Sequence, residues 1–349
     1  KSLNLMNKFL HIQFLIFIFF SNEIISQDYL IGGANQFKGY DLSIKHGIVS
    51  NLNGTNVMNQ TIKENEVSSL LANNLTYDFH GKIGNSINIP RAQCSDSNGN
   101  IYITGSSGNE STKSGDITTI KVNSSGVIEW TLRIPSPEFT VNSGTAITID
   151  SNGFLYLVGY LWNQTSMDVF CAKISNEGQL IWQIIYGNSS NFEIPNSLVL
   201  SNSGELYVSG ITHSNSKVTY YISKVSSLGQ LLWEHVDTTF PSQTWNEPKI
   251  LRLDNLGNLL VCGYGYEDNE EGSASKTVTI KFNSAGVQLW KKYKSTQITI
   301  DNNLYFVDSW PTDFTLDTNN SIYVVKNYND EFFTKSATIK YDHAGEELW

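Results

Sequence analysis

Cysteine and positive charge are both scarce in this chain of 349 residues. The three cysteines, Cys94, Cys171 and Cys262, are an odd number without metal-ligand spacing, so we expect buried free thiols. Lysine and arginine total 23 against 33 aspartates and glutamates, which gives a formal net charge of −10. Nucleic acids and anionic membranes attract basic surfaces, so neither is an expected partner.

Long helical patterns and catalytic motifs are also missing. Asn, Ser, Thr and Gly are abundant instead, which favours short strands joined by many turns. No nucleophile elbow, phosphate-binding loop or zinc motif occurs, and the six histidines have no repeated relation to Ser, Cys or acidic residues. The sequence therefore indicates no particular reaction, although residues that are distant in the sequence can still assemble a catalytic site in the folded chain.

Long apolar runs are confined to one segment near the N-terminus. Lys8 precedes the apolar residues 9–20, and a short polar stretch follows, which is the layout of a secretory signal peptide. The run has 12 residues, too few to span a bilayer comfortably. We therefore expect Met6 to be the initiator and residues 1–26 to be a signal peptide. The mature protein is then secreted or at the cell surface without stable membrane insertion; an uncleaved anchor is the alternative.

Five tryptophans each end the same short phrase. Its clearest copy reads Ala172-Lys-Ile-Ser-Asn-Glu-Gly-Gln-Leu-Ile-Trp182, and the lysine precedes the tryptophan by 9 residues in every copy. Successive copies are 51 to 59 residues apart, a period that indicates a repeat architecture. The tryptophans are Trp130, Trp182, Trp233, Trp290 and Trp349, and the lysines are Lys121, Lys173, Lys224, Lys281 and Lys340.

A second phrase opens each unit with an Asp-x-x-Gly turn and a strand of alternating polarity, as in Asp150-Ser-Asn-Gly-Phe-Leu-Tyr156. Each unit then holds four strands, which we name A to D. In the second unit they are expected at 145–149, 154–158, 169–174 and 180–185. Four antiparallel strands per repeat of this length describe one blade of a β-propeller.

The sequence therefore predicts an all-β protein, a β-propeller of four-stranded antiparallel blades. Five clear repeats cover 96–349 in a propeller region at 86–349, while 27–85 is an N-terminal segment that is either a degenerate blade or a loop. The sequence stops inside its last repeat, so we expect a fragment of a larger ring. The tryptophans are expected to dock between adjacent blades, and the lysines to clamp neighbouring strands or Asp turns.

These phrases resemble the bacterial beta-propeller repeat, known as the SBBP repeat, of secreted and surface proteins. The resemblance rests on Asp-x-x-Gly-Asn-x-Tyr-x-x-Gly, followed by the lysine and the Gly-x-x-x-Trp ending, and it covers 96–349. It implies a propeller in an exported protein and no defined enzyme activity. The last unit departs from the pattern, because Asn320 and Lys326 replace glycines.

The strand C to D phrase is also similar to the tryptophan-docking motif of quinoprotein dehydrogenases. Those enzymes bind pyrroloquinoline quinone, and many have a disulfide between adjacent cysteines beside it. This sequence has no adjacent cysteine pair, and most copies lack the motif's threonine before glycine. The resemblance therefore implies tryptophan docking without the cofactor.

All length variation falls in the B–C and D–A loops, which share one end of every blade. These loops carry aromatic residues beside Asn, Ser and Asp, a composition that suits glycan or peptide recognition. The candidate ligand-binding residues are Trp162, Trp245, Tyr264, Tyr266 and Trp310. No cofactor is expected. Calcium is a weak alternative, with candidate ligands Asp268, Glu270 and Glu271 in the longest B–C loop.

The leading functional hypothesis is a monomeric, non-catalytic binding or adhesion scaffold for a glycan or protein ligand. Two alternatives stay open: an exported enzyme, either a hydrolase or lyase or a quinoprotein-like oxidoreductase, and a structural spacer in a longer surface protein. No catalytic residue is assigned.

Overall fold

The computed structural model describes residues 86–109, 114–135, 141–163, 165–214, 217–241, 244–266, 274–300, 302–329 and 333–349. All of them belong to the second of two compact units, Tyr77–Trp349. The predictions about the signal peptide, Met6 and the segment 27–85 concern residues outside the described ones. No helix long and apolar enough to cross a membrane occurs in the described part of the chain.

The described residues form 21 β-strands, which confirms the all-β prediction. Sheet one contains β1 (Ser86–Ser95), β2 (Ile101–Asn109), β3 (Ser114–Val122) and β4 (Ile128–Ile134). Sheet two contains β5 (Val141–Ile149), β6 (Leu155–Trp162), β7 (Met167–Ile174) and β8 (Leu180–Tyr186). Sheet three contains β9 (Phe192–Leu200), β10 (Leu206–Ser214), β11 (Lys217–Val225) and β12 (Leu231–Val236).

Sheet four contains β13 (Glu247–Leu253), β14 (Leu259–Gly265), β15 (Lys276–Phe282) and β16 (Gln288–Lys294). Sheet five contains β19 (Ser309–Leu316), β20 (Ile322–Asn329) and β21 (Thr334–Tyr341), and its fourth strand is reduced to one bridge between Tyr341 and Glu347. A separate hairpin of β17 (Thr296–Ile300) and β18 (Asn303–Val307) joins sheets four and five. Each sheet is an antiparallel meander in the order A, B, C, D.

The core lies between consecutive sheets. One buried cluster joins sheets one and two, through Tyr102, Ile117, Leu155 and Phe170 among others. Further clusters join sheets two and three, three and four, and four and five. Each sheet therefore buries its apolar faces against its neighbours, as repeat architectures require. Cys171 and Cys262 are buried free thiols in this core, and Cys94 is a half-buried one.

Tryptophans link the sheets at the end that holds the A–B and C–D turns, which we call the turn end. Trp182 of sheet two donates its Nε1 hydrogen to the carbonyl oxygen of Ser227, 3.0 Å away, in the C–D turn of sheet three. Its indole lies against Gly229 of the same turn, where an added Cβ would come within 2.8 Å of the ring. The indoles of Trp130, Trp233 and Trp290 lie in the same way against Gly178, Gly286 and Gly345 of the following sheets, and Trp130 and Trp233 also donate to the carbonyl oxygens of Asn176 and Ser284.

Single-residue parallel bridges link the sheets at the opposite end, which we call the loop end. Strand A of each sheet begins beside strand C of the sheet before it: Gly115 with Val141, Met167 with Phe192, and Val218 with Trp245. Between sheets four and five, the Ser309 amide donates to the Ser275 carbonyl oxygen at 3.0 Å. Neighbouring sheets are thus fastened at both ends.

A bulge recurs in strand A of all five sheets, where the register shifts by one residue opposite strand B. In four sheets the strand B residue at this place is glycine, and a Cβ there would collide with a strand A carbonyl oxygen. In sheet five Lys326 takes the place of that glycine. The extra residues of the five bulges are Arg91, Thr145, Asn196, Lys249 and Thr312.

Candidate functional site

The turn end is occupied by side chains that stabilise the structure. Asp150 Oδ1 accepts the backbone amides of Asn152 and Phe154 at 2.9 Å each, and Asp96, Asp254 and Asp317 repeat the pattern. Burial raises the pKa of Asp254, but hydrogen bonds from Asn258 and Lys281 outweigh it and lower the pKa. The carboxylate groups of these aspartates therefore serve to stabilise the turns.

Three of the five repeated lysines act between sheets. Lys121 pairs with Glu129 at 2.9 Å and donates to Asn176 Oδ1 of sheet two at 3.0 Å. Lys281 pairs with Asp254 at 2.9 Å and donates to the His343 carbonyl oxygen of sheet five at 3.1 Å. Lys224 likewise pairs with Glu205 at 2.9 Å and donates to the Ser284 carbonyl oxygen of sheet four at 3.2 Å, so three of the five ammonium groups bridge their own sheet and the next turn. Lys173 and Lys340 lie over aromatic rings of their own sheets.

At the loop end, two of the five candidate aromatic residues meet on one carboxylate. Trp245 Nε1 and the Tyr264 hydroxyl donate to Glu247 Oε2 at 3.3 and 3.0 Å. Lys249 Nζ and Asn196 Nδ2 donate to Glu247 Oε1 at 2.6 and 3.3 Å. We call Asn196, Trp245, Glu247, Lys249 and Tyr264 the Glu247 cluster. It joins strand A of sheet three to strands A and B of sheet four.

The exposure of the Glu247 cluster increases from its carboxylate outward. The Glu247 side chain is 19% exposed, the Lys249 side chain is 41% exposed, and Trp245 and Tyr264 are half-buried. Burial, followed by the nearby Glu247 charge, raises the pKa of Tyr264, so its hydroxyl remains a donor at neutral pH. Lys249 Nζ also lies 5.6 Å from the Tyr264 ring centroid. The cluster therefore presents an ammonium group and two aromatic side chains at the surface.

The other three candidates lie elsewhere on the loop end, and all are half-buried. Tyr266 adjoins the cluster in sequence, and its backbone amide donates to Asn246 Oδ1 at 2.8 Å. Trp162 ends β6 in sheet two, and Trp310 lies in β19 of sheet five. The five aromatic residues are therefore distributed over three sheets rather than gathered in one site.

A separate cleft of about 370 Å³ opens at the loop end, between strands of sheet three and the loop 187–191 that enters this sheet. It is lined by residues that sequence analysis did not select, including Asn188, Glu193, Tyr221 and Glu234. The Tyr221 hydroxyl donates to Glu234 Oε2 at 3.0 Å, and the Thr212 hydroxyl donates to Glu193 Oε1 at 3.2 Å. Its volume falls in the lower part of the range for small-ligand sites.

Burial raises the pKa of Glu193, which is 3% exposed, and the charge of Asp168 adds to the effect. Burial also raises the pKa of Asp168. Both carboxyl groups approach Gly187, where an added Cβ would lie 2.9 Å from Asp168 Oδ1 and 3.1 Å from Glu193 Oε2. The cleft is thus lined by one carboxyl group with a raised pKa, Glu193, and a second, Asp168, lies beside the lining residue Gly187; raised carboxyl pKa values are common at catalytic sites.

Glu193 belongs to a repeated position that sequence analysis missed. The residue two places before the proline or glycine of each strand A bulge is polar in every sheet. Asn142, Glu193, Asn246 and Ser309 occupy it in sheets two to five, and all four are buried. The signal was visible in the sequence, because four of the seven prolines, Pro90, Pro195, Pro248 and Pro311, share one repeat position.

The structure does not test the proposed metal ligands. Asp268, Glu270 and Glu271 lie outside the described residues. Among the residues that are described, no three His, Cys, Asp or Glu side chains are grouped so that they could hold a metal ion.

Comparison with known proteins gives similarities in structure alone, because no family model and no curated protein matches the sequence. A protein of unknown function from Bacteroides caccae aligns over 74% of this chain and 80% of its own, at 12% identity and a TM-score of 0.42. A polysaccharide lyase described as an ulvan lyase aligns over 74% and 68%, at 12% identity and 0.48. A periplasmic gluconolactonase from Pseudomonas aeruginosa aligns over 74% and 68%, at 12% identity and 0.44. Identities and scores this low assign neither an activity nor a ligand to this chain.

Proposed function

We propose that this chain is an exported, monomeric β-propeller that binds a glycan without catalysis, through the Glu247 cluster at its loop end. The propeller architecture is supported by consecutive four-stranded sheets with the same links at the turn end and the loop end. Export is supported by the signal-peptide pattern of residues 1–26. The similarity of the phrases to the SBBP repeat of secreted proteins agrees with both.

The observation that carries the binding proposal is the convergence of Trp245 and Tyr264 on Glu247. Half-exposed aromatic side chains offer flat apolar faces to a sugar ring, while hydrogen-bonding groups fixed beside them orient it. The four hydrogen bonds to Glu247 hold these side chains in place before a ligand arrives, which reduces the entropic cost of binding. A surface that only spaced two domains would not need such an arrangement.

The test is a glycan array probed with the purified protein, followed by titration calorimetry on each ligand found. We expect Trp245→Ala to weaken binding at least tenfold, because a central aromatic contact is worth about 2 kcal/mol. Trp349→Ala, which removes an exposed tryptophan at the turn end of sheet five, is the matched control and should bind as the wild type does. Circular dichroism verifies that both variants are folded. An array without ligands, or equal losses in the two variants, contradicts this site.

A second candidate function is a hydrolase or lyase centred on the cleft, and the carboxyl groups of Glu193 and Asp168 favour it. A buried carboxyl with a raised pKa stays protonated nearer to neutral pH and is suited to donate a proton to a leaving group. The cleft has the size for a few sugar units at most.

Turnover on a panel of polysaccharides tests this second candidate. If the cleft is catalytic, Glu193→Gln abolishes product formation, whereas Glu346→Gln on the exposed turn of sheet five leaves it unchanged. Absence of turnover on the whole panel, together with glycan binding, leaves the binding module as the function.

A further inference from the structure

The hydrogen-bonding capacity of the Glu247 cluster determines which ligands it can accept. A carboxylate has about four lone-pair sites for hydrogen bonds. In Glu247 four donors already use them: Trp245 Nε1, the Tyr264 hydroxyl, Lys249 Nζ and Asn196 Nδ2. Glu247 therefore has no acceptor capacity left for the hydroxyl hydrogens of a neutral sugar.

Donor capacity remains at the same place. An ammonium group carries three N–H donors, and among the described residues Glu247 is the one hydrogen-bond partner of Lys249. The Lys249 side chain is 41% exposed, so its remaining donors are open to an incoming acceptor. The Lys249–Glu247 ion pair leaves the cluster without net charge, but the exposed ammonium still offers charge-assisted hydrogen-bond donors, which fit carboxylate or sulfate oxygens.

The neighbouring sheets continue this chemistry. Lys249 is the extra residue of the strand A bulge in sheet four, and the equivalent residues are also polar, without one carboxylate among them. None of the five is buried, and a second cation, Arg91, occupies the equivalent position in sheet one, three sheets before Lys249. The five residues are Arg91, Thr145, Asn196, Lys249 and Thr312, and we call them the bulge row.

Members of the bulge row follow one another from sheet to sheet because successive A strands adjoin. Asn196 of β9 donates to the Pro248 carbonyl oxygen of β13 at 2.6 Å. The charge of Arg91 in β1 acts on Tyr160 in β6 of sheet two. Strand β5 contacts both β1 and β9. A linear ligand that lies across the A strands therefore meets one polar bulge residue per sheet.

We propose that the ligand is a linear anionic polysaccharide, whose carboxylate or sulfate groups bind Lys249 and Arg91 along the bulge row and whose sugar ring packs on Trp245. This inference rests on the proposed binding function and adds the class of ligand. The net charge of −10 does not oppose it, because at physiological ionic strength charges more than about 8 Å away are largely screened.

The experiment compares polymers that share a backbone and differ in charge. Carboxymethyl cellulose is titrated against hydroxyethyl cellulose, and dextran sulfate against dextran, with Trp fluorescence and calorimetry as readouts. We expect binding to an anionic member and not to its neutral counterpart, with affinity that falls as salt rises. The two pairs show whether carboxylate or sulfate is preferred.

Matched variants locate the charge. Lys249→Met and Arg91→Met should each weaken binding of the anionic polymer about fivefold to tenfold, equivalent to roughly 1 to 1.4 kcal/mol. Lys292→Met, which removes the same charge from the edge strand β16, should have no effect. Thermal unfolding verifies that the three variants are folded.

The outcomes separate this inference from the binding function beneath it. Equal binding of charged and neutral polymers, with no loss in Lys249→Met, overturns the anionic ligand and leaves a neutral-glycan module. Failure of every polymer and of the glycan array overturns both. A loss in Lys292→Met equal to that in Lys249→Met shows nonspecific attraction and also overturns the site.

Discussion

At the residue scale, Lys326 departs from the pattern of the other sheets. It stands where four other sheets have glycine beneath a strand A carbonyl oxygen, yet it is a long charged side chain that is only 4% exposed. Its Nζ donates to two neutral oxygens, the Ser295 carbonyl at 3.2 Å and the Thr296 hydroxyl at 2.6 Å. Burial, followed by the charge of Lys294, lowers its pKa to about 8. Lys326 thereby fastens the β17–β18 hairpin to sheet five.

This lowered pKa predicts how stability depends on pH. In the unfolded chain Lys326 regains its ordinary value of 10.5, so between about pH 8 and 10.5 the unfolded state binds more protons than the folded state. The contribution of Lys326 to the free energy of unfolding therefore rises with pH through this window, by about 1 to 3 kcal/mol. Urea unfolding at pH 7, 8.5 and 10 should show the rise in wild type and a smaller one in Lys326→Met. Parallel profiles would contradict the assignment.

Lys291 makes a buried ion pair that the repeat phrases did not indicate. Its ammonium contacts Asp237 Oδ2 and the Thr239 hydroxyl at 2.8 Å each, and it lies 3.5 Å from the Phe240 ring centroid. The side chains of Lys291 and Asp237 are 8% and 1% exposed. The pair holds the loop that follows sheet three against β16 of sheet four.

Removing one member of a buried pair leaves the other charged and unsolvated. Lys291→Met should therefore lower the free energy of unfolding by about 3 kcal/mol. Its sequence neighbour Lys292 pairs with Glu346 at the surface, so Lys292→Met should lower it by less than about 1 kcal/mol. Guanidinium unfolding of the two variants at pH 7 gives the comparison, and equal losses would refute a special role for the buried pair.

At the element scale, the C–D turn serves two purposes. Its glycine adopts a positive φ that other residues avoid, and the missing side chain leaves room for the tryptophan of the preceding sheet. Gly229 of the C–D turn in sheet three and Gly257 of the A–B turn in sheet four allow the two effects to be separated, because both have a positive φ, 80° and 78°. A Cβ on Gly229 would lie 2.8 Å from the Trp182 ring, whereas a Cβ on Gly257 would have nothing within 4 Å.

The two glycines therefore predict different costs for one substitution. Gly257→Ala should lower the free energy of unfolding by about 1 to 2 kcal/mol through backbone strain alone. Gly229→Ala should lower the free energy of unfolding by a further amount of about 1 to 3 kcal/mol, because the Trp182 indole must also move. Chemical unfolding measures both, and tryptophan fluorescence of the folded state should shift in Gly229→Ala alone. Equal costs without a spectral shift would mean that the docking adds nothing to stability.

The same scale shows which elements the sequence could predict. Strands B, C and D carry constant phrases, so β6, β7 and β8 begin within two residues of their expected positions. Strand A was recognised only near its turn, and β5 begins at Val141 rather than at Thr145. Strand A carries a repeated polar-x-Pro pattern just before its bulge. The bulge interrupts the alternation of polar and apolar residues, so the pattern was not recognised as part of a strand. The β17–β18 hairpin was not expected, because the length of a connection does not specify pairing within it.

At the scale of the whole molecule, the sequence predicted the end that carries candidate sites better than the sites themselves. Variable loops indicated the loop end, where both the Glu247 cluster and the cleft lie. Trp245 and Tyr264 came together because Glu247 pairs with Tyr264 in the register of β13 and β14. The cleft depends on how 187–191 passes Glu193 and Tyr221, which no local pattern encodes. Which of the two binds a ligand stays a prediction.

Strand pairing and burial also predict which part of the described structure unfolds locally first. Strands β14 and β15 have a partner on both sides and are almost fully buried, while β17 and β18 pair only with each other. A two-stranded hairpin is marginally stable alone, and the exposed side chains of Leu304 and Tyr305 add little. In hydrogen exchange followed by mass spectrometry, amides of 296–307 should therefore exchange at least about 100-fold faster than those of β14 and β15. Lys326→Met should further increase the amide exchange rates of the hairpin and leave those of β14 unchanged. Uniform protection across these strands would mean that the hairpin unfolds only with the sheets.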